Sequence, residues 1–290
     1  MANRTSWRKT WIFPPSKKYA EEVIVRFEIL DTEKKEIPMS VSFTKKKAFN
    51  KDPFYPMQEP FSEAIGSLWY LAGSTRPDLV YAVAFLSRFS KEITREHWIA
   101  IRYVLGYLKQ TSDYGLWFKH ASQLDTSPCQ AACDADYAGD KFGGKSTSGF
   151  LIFLFGAPVI WGSKLQSIPT LNSMESEYIS ASHTARLIVW QRMFLNELGF
   201  GDLMDDVTLF NDNKSMNIFA DDVMINHKSR HIQVRYHYVR HCILKKWFTI
   251  KYLCTKNLPS DIMTKAVGGA GYKYKRGMIV LSMTEAKGEQ

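Results

Sequence analysis

Gln130-Ala131-Ala132-Cys133-Asp134 decides how this chain is read: a short apolar strand that delivers an acid at its end. Outward from it the pattern keeps period two. Gly115 to Phe118 reads as an earlier strand, and Gly149 to Phe155 with Pro158 to Ser163 as a hairpin about Gly156-Ala157. The period then lengthens. Glu175 to Leu198 is a long helix ended by Gly199, Val207 to Asn211 a strand, and Lys214 to Ala220 a short helix. Arg230 to Lys245 is a basic helix, Trp247 to Cys254 a strand, and Ser260 to Val267 opens a last helix. Strands first, then alternating helices and strands, predict a mixed α/β sheet of about five strands.

Upstream, residues 60–110 read as three helices. Ser62 is placed to cap the first, which carries Ile65, Leu68, Trp69 and Leu71. Thr75-Arg76-Pro77-Asp78 has the form of a capping box with Pro in the first turn. Thr94 opens the third helix, with Trp98, Ile101, Val104, Leu105 and Leu108 inward. Lys17 to Phe27 carries Tyr19, Val23 and Phe27 at helical spacing. Four segments follow: 1–58, partly loose; 59–111, helical; 112–267, α/β; and 268–290, a Gly-, Lys- and Glu-rich tail expected to be loose.

Of the 290 residues, 45% are hydrophobic and 23% charged, which excludes a wholly disordered chain. The net charge of +9 favours a polyanionic partner, because fixed cations release counterions from nucleic acid. Four cysteines make no disulfide scaffold in a chain this long and are read as reduced thiols. The longest apolar run, Phe150 to Trp161, is too short for a bilayer. The basic N-terminus has no signal-peptide core, so the default is cytosolic or nuclear, not secreted.

Several motifs are decoys. Gly139 to Ser146 fits G-x-x-x-x-G-K-[ST], but a strand-like Thr147 to Phe153 follows where a phosphate loop needs a helix. Asp221-Asp222 and Asp205-Asp206 lack the hydrophobic hairpin of a polymerase metal pair. His237 and His241 have metal-ligand spacing without the Glu of a metalloprotease.

Four separated acids carry more. Asp134 and Asp212 end strands, Glu177 lies on the first turns of the long helix, and Asp261 starts the last helix behind Ser260. Ala181, one turn beyond Glu177, allows close approach to a sheet. Clustered carboxylates repel unless cations bridge them, and hard oxygen ligands select Mg²⁺ or Mn²⁺. Two such ions activate a water and stabilise a leaving oxygen.

Residues 112–267 resemble the ribonuclease H domain of copia-type retrotransposon Pol polyproteins. The resemblance rests on Cys133 to Asp140, Lys145 to Gly149, Trp161 to Gln166, Glu175 to Ile179, Asn211 to Ser215, Arg230 to His237 and Asp261 to Lys265, in that order and spacing. Gly66 to Leu71 with Thr75 to Asp78 is similar to the connecting region of the same polyprotein. Lys17 to Phe27 is similar to the end of its reverse transcriptase.

The resemblance implies a ribonuclease H-like α/β fold, a mixed five-stranded sheet with flanking helices preceded by a small helical region. It implies cleavage of the RNA strand of an RNA–DNA hybrid at two Mg²⁺ or Mn²⁺ ions. Asp134, Glu177, Asp212 and Asp261 would be the ligands, with Asp134 shared. Glu175 competes with Glu177, and Asn257 also matches the wider pattern. Arg230, Arg235, Arg240, Lys245 and Lys246 would hold phosphates, with Tyr236, Tyr238 and Trp247 interleaved. The remainder of a Pol would be a partner.

The chain departs from that pattern. Cys254 to Ser260 holds no His, Asn172 and Met174 stand where small hydroxyl residues are usual, Gln233 replaces an acid and Gly144 a basic residue. These departures define the rival readings: a decayed fragment that at most binds nucleic acid and, more remotely, an NTPase that would depend on Lys145.

Overall fold

The computed structural model describes residues 16–29, 33–45, 60–120, 124, 127–214, 233–280 and 282. The helices are α1 (Lys17–Arg26), α2 (Val41–Thr44), α3 (Phe61–Ser74), α4 (Val80–Ser87), α5 (Arg95–Gln110), α6 (Ser173–Glu197), α7 (Gln233–Leu244) and α8 (Gly269–Gly277). The strands are β1 (Cys129–Asp136), β2 (Thr147–Leu154), β3 (Ala157–Leu165), β4 (Thr208–Asn211) and β5 (Thr249–Tyr252). They form one mixed sheet in the order β3-β2-β1-β4-β5. β1, β2 and β3 run antiparallel to their neighbours, while β1, β4 and β5 are parallel.

Local chemistry sets these elements. Phe155 and Gly156 both have positive φ, the two-residue turn whose twist suits a hairpin. Asn172 caps α6, its side chain accepting from the Glu175 amide, so it serves the helix start well in place of a small hydroxyl residue. Thr94 caps α5 and makes a capping box with His97.

Alternation along the strands feeds both faces of the sheet. Ala131, Cys133 and Ile152 pack against Tyr178, Ala181, Ala185 and Ile188 of α6, with Val239 and Cys242 of α7 beyond. Leu151, on the other face, joins a core shared with α3, α4, α5 and α8 through Leu71, Val83, Ile101 and Tyr272. The upstream helices and the sheet therefore share one apolar interior, and Trp161 of β3 donates to the Ala72 carbonyl of α3 at 2.7 Å.

Several expectations need correction. Gly115 to Phe118 makes one isolated bridge and no strand. β1 continues through Asp136 because β2 pairs with it over that length, so Asp134 lies within the strand. Pro60, not Ser62, precedes α3. Thr75 ends α3 and caps nothing, since Asp78 is occupied by Arg76 and Tyr107. Ser260 to Val267 forms a 3-10 turn, Pro259–Met263, and no α-helix.

The tail expected to be loose from 268 is α8, followed by buried Ile279 and Val280. Long-range contacts order it: Tyr272 is buried and donates to the Asp78 carbonyl at 2.8 Å. The Lys214 to Ala220 helix, beyond Lys214, lies outside the described residues, as do Asp221-Asp222.

Gly149 positions the turn that carries Asp261. A Cβ there would lie 2.6 Å from Met263 Cβ, 2.7 Å from Thr264 Cγ2 and 2.9 Å from the Ser260 carbonyl oxygen. Gly149→Ala is therefore expected to push the turn off β2 and destabilise the chain by about 1–3 kcal/mol, read as a lower Tm.

Candidate metal centre

Apart from Gln130, β1 is built of Cys, Ala and Asp, and small side chains let α6 lie close to it. Ser180 of α6 donates to the backbone oxygen of Asp134 at 2.8 Å. Glu177, one turn earlier on that face, is thereby brought to Asp134. On the other side β4 runs parallel to β1, with Ala132 opposite Phe210 as the last pair. Two residues further on, the register sets Asp212 beside Asp134 where the ladder has opened. The group thus forms at the carboxyl ends of two parallel strands.

One carboxylate oxygen each from Asp134, Glu177 and Asp212 lies within 4.8 Å of the other two. Asp134 and Glu177 are buried, and Asp212 is half-exposed. Burial pushes Asp134 up to about 6, against the opposing influence of Lys265 and of the Thr264 hydroxyl. Burial, then the charges of Asp134 and Asp212, raise Glu177 well above the ordinary carboxylate range. Glu177 Oε2 is buried without a hydrogen-bond partner among the described residues. Three convergent oxygens, one of them unpartnered, suit a divalent cation.

Glu175 does not compete. It is turned to the helix start, where Oε2 accepts from the Leu171 amide at 2.7 Å.

Asp261 is buried beside this group but does not join it. Its Oδ1 is 2.6 Å from Lys265 Nζ, and its Oδ2 accepts from Lys275 of α8. Two hydroxyls brace the other acids. Thr264 Oγ1 donates to Asp134 Oδ2 at 2.5 Å, and Thr255 Oγ1 to Asp212 Oδ2 at 2.6 Å. Asn257 accepts from the Tyr274 hydroxyl at 3.3 Å. Sequence reasoning missed Thr264, Thr255, Lys265 and Lys275 in these roles. Thr264→Val is expected to weaken Mn²⁺ binding about 10–100-fold, measured by calorimetry, because it releases the Asp134 carboxylate.

The candidate phosphate contacts are dispersed. Arg235 lines a groove of about 390 Å³ with Lys164, His183 and Arg186, three cations or potential cations the sequence did not single out. Arg240 lies over the Tyr236 ring. Lys245 and Lys246 are exposed past the far end of α7, ~15 Å along the axis from Arg235. Arg230 lies outside the described residues. Tyr236 packs on Tyr178, ring centroids 5.0 Å apart, and Tyr238 and Trp247 border the same core.

The phosphate-loop match is a turn between strands. Asp140 holds Arg88 at 2.5 Å and the Phe142 amide, the Ser146 hydroxyl meets Thr170 at 2.9 Å and the Ala138 amide, and β2 follows. Among the described residues the element that follows it is a strand, so the turn opens no helix. His237 and His241 take part in no metal-ligand group among the described residues. Cys129, Cys133, Cys242 and Cys254 are free thiols. No described helix is long and apolar enough to cross a membrane.

The fold and site are those of an α/β domain with an acidic, metal-competent centre on a mixed five-stranded sheet. The chain belongs to the retrovirus-related Pol polyproteins of copia-type transposons. It is 32% identical over 268 residues to the Pol polyprotein from transposon TNT 1-94 of Nicotiana tabacum, covering 91% of this chain and 20% of that protein. It is 30% identical over 257 residues to the Pol polyprotein from transposon RE2 of Arabidopsis thaliana, covering 89% and 17%. The chain thus spans about a fifth of the length of these relatives. Among solved structures it is similar to LC11-RNase H1 isolated from compost, with a TM-score of 0.37 and 15% identity, covering 48% of this chain and 94% of that one. No family model matches the chain.

Proposed function

We propose that this part of a Pol polyprotein is a divalent-metal-dependent ribonuclease that cuts the RNA strand of an RNA–DNA hybrid. The observation that carries the reading is the convergence of Asp134, Glu177 and Asp212, with one buried Glu177 oxygen unpartnered. Membership of a Pol family supports the nucleic-acid substrate.

Asp134, Glu177 and Asp212 would hold Mg²⁺ or Mn²⁺. When bound there, the ion supplies activation of a water and charge neutralisation at a phosphodiester. The chain's own residues do the rest. Thr264 and Thr255 fix the orientation of two ligand carboxylates. Arg235, Arg240, Lys245 and Lys246, with Arg230, are the proposed phosphate contacts, and RNA would be told from DNA by its 2′-hydroxyls. The two-ion arrangement inferred from the resemblance needs Asp261 as a ligand. Both of its oxygens are engaged by lysines, so these residues do not fit a second ion.

The raised carboxylates set a pH dependence. Between the ordinary carboxylate pKa and about 6, the metal-free folded chain holds a proton on Asp134 that an unfolded chain has released. Stability of the metal-free chain therefore falls as pH rises through that window, and metal binding expels the proton. Mn²⁺ affinity is expected to rise from about pH 5 to about pH 6 by about tenfold for each proton displaced, checked by calorimetry across that range. Cleavage of a hybrid with both strands labelled, with and without Mg²⁺, tests the activity itself.

A further inference from the structure

Asp261 is 2% exposed and sits between two ammonium groups. Lys265, one helical turn on in sequence, is 2.6 Å from Oδ1 and keeps 39% of its side chain exposed. Lys275 reaches Oδ2 from α8 and is itself buried. The placement of Lys275 belongs to the fold, because α8 is anchored by buried Tyr272 on Asp78. The charge of Lys265 also bears on Asp134 and Asp136, so this one ammonium serves three acids. A cation lodged between Asp134 and Asp261 would meet two positive groups already in contact with one of its ligands, and like charges at such range repel strongly.

We propose that the Lys265 ammonium takes the place of a second divalent ion, so that this chain binds one ion, at Asp134, Glu177 and Asp212. The inference rests on the metal-site reading above and deepens it. Lys265 supplies a fixed positive charge against Asp261 that also acts on Asp134, without a ligand having to be recruited. Lys275 holds Asp261 so that Lys265 meets it in one geometry.

The test is a count of Mn²⁺ bound by the full chain, without nucleic acid, by calorimetry and by electron paramagnetic resonance. The unaltered chain is expected to bind one ion, and Lys265→Met two. Lys265→Met combined with Asp261→Asn returns to one, which ties the gained ion to Asp261. Lys265→Arg keeps the charge and stays at one. Lys265 is half-exposed, so its loss opens no cavity, and Lys265→Gln provides a second variant with the same expected gain. Two ions on the unaltered chain, or one on both Lys265→Met and Lys265→Gln, would overturn the proposal. No ion on the unaltered chain would remove the metal-site reading, and the proposal with it.

Discussion

Asp134→Asn is expected to reduce metal-dependent cleavage of a hybrid by more than about 100-fold while leaving the chain folded. Loss of a group that merely orients a ligand costs about 10–100-fold, and Asp134 is a proposed ligand itself, so the larger loss follows. The substitution keeps shape, and an amide in a buried, carboxylate-rich site relieves repulsion. Tm of the metal-free variant should therefore hold or rise while Mn²⁺ binding and cleavage fall together. Asp212→Asn should lose activity likewise. Unchanged cleavage in either variant would remove that acid from the site.

Asp78→Ala is expected to be the most damaging single change to stability, by about 3–5 kcal/mol. Arg76 is fully buried and donates to both Asp78 oxygens, at 2.9 and 2.8 Å, and to the Thr111 carbonyl at 2.7 Å and hydroxyl at 2.6 Å. Tyr107, also buried, donates to Asp78 Oδ2 at 2.6 Å. Truncating Asp78 leaves a buried guanidinium without its counter-ion and a buried phenol without its acceptor. At ~2–4 °C per kcal/mol the Tm should fall by about 10 °C. Because Tyr272 joins α8 to the same segment, protection of α8 amides from hydrogen exchange should fall too. A shift below about 1 kcal/mol would show that the network is not the tie between these helices.

That network also shows where sequence reading stopped. Thr75-Arg76-Pro77-Asp78 has the letters of a capping box, and local rules assign Asp78 to the helix start. Its partners in the structure are Arg76, Tyr107 and, through its carbonyl, Tyr272, and the last two are distant in sequence. The same holds for α8. Gly268, Gly269, Gly271 and Gly277 lower helix propensity, so composition reads as loose, and burial of Tyr272 and Lys275 decides otherwise.

The carboxylates were more legible. The hydrophobic period places Glu177 on the first turns of the long helix and Asp212 just past its strand, and Ala181 announces the close approach to a sheet, whereas Asp134, expected at a strand end, lies within β1. Asp261 was expected as a fourth member of the group, but in the structure it is held by Lys265 and Lys275, and that engagement was hidden. Lys265 is a local neighbour whose direction depends on the 3-10 turn, and Lys275 arrives from a helix the sequence did not announce. The basic helix was found, but the groove that gathers Arg235 with Lys164, His183 and Arg186 joins three elements, β3, α6 and α7, that no local pattern brings together.

The most direct measurement is cleavage of an RNA–DNA hybrid labelled on both strands, by the full chain with Mg²⁺ or Mn²⁺ and with chelator. The expected result is cuts in the RNA strand alone, present only with the ion and lost in Asp134→Asn. An intact RNA strand in the presence of a chain that binds Mn²⁺, or equal cutting of both strands, would contradict it.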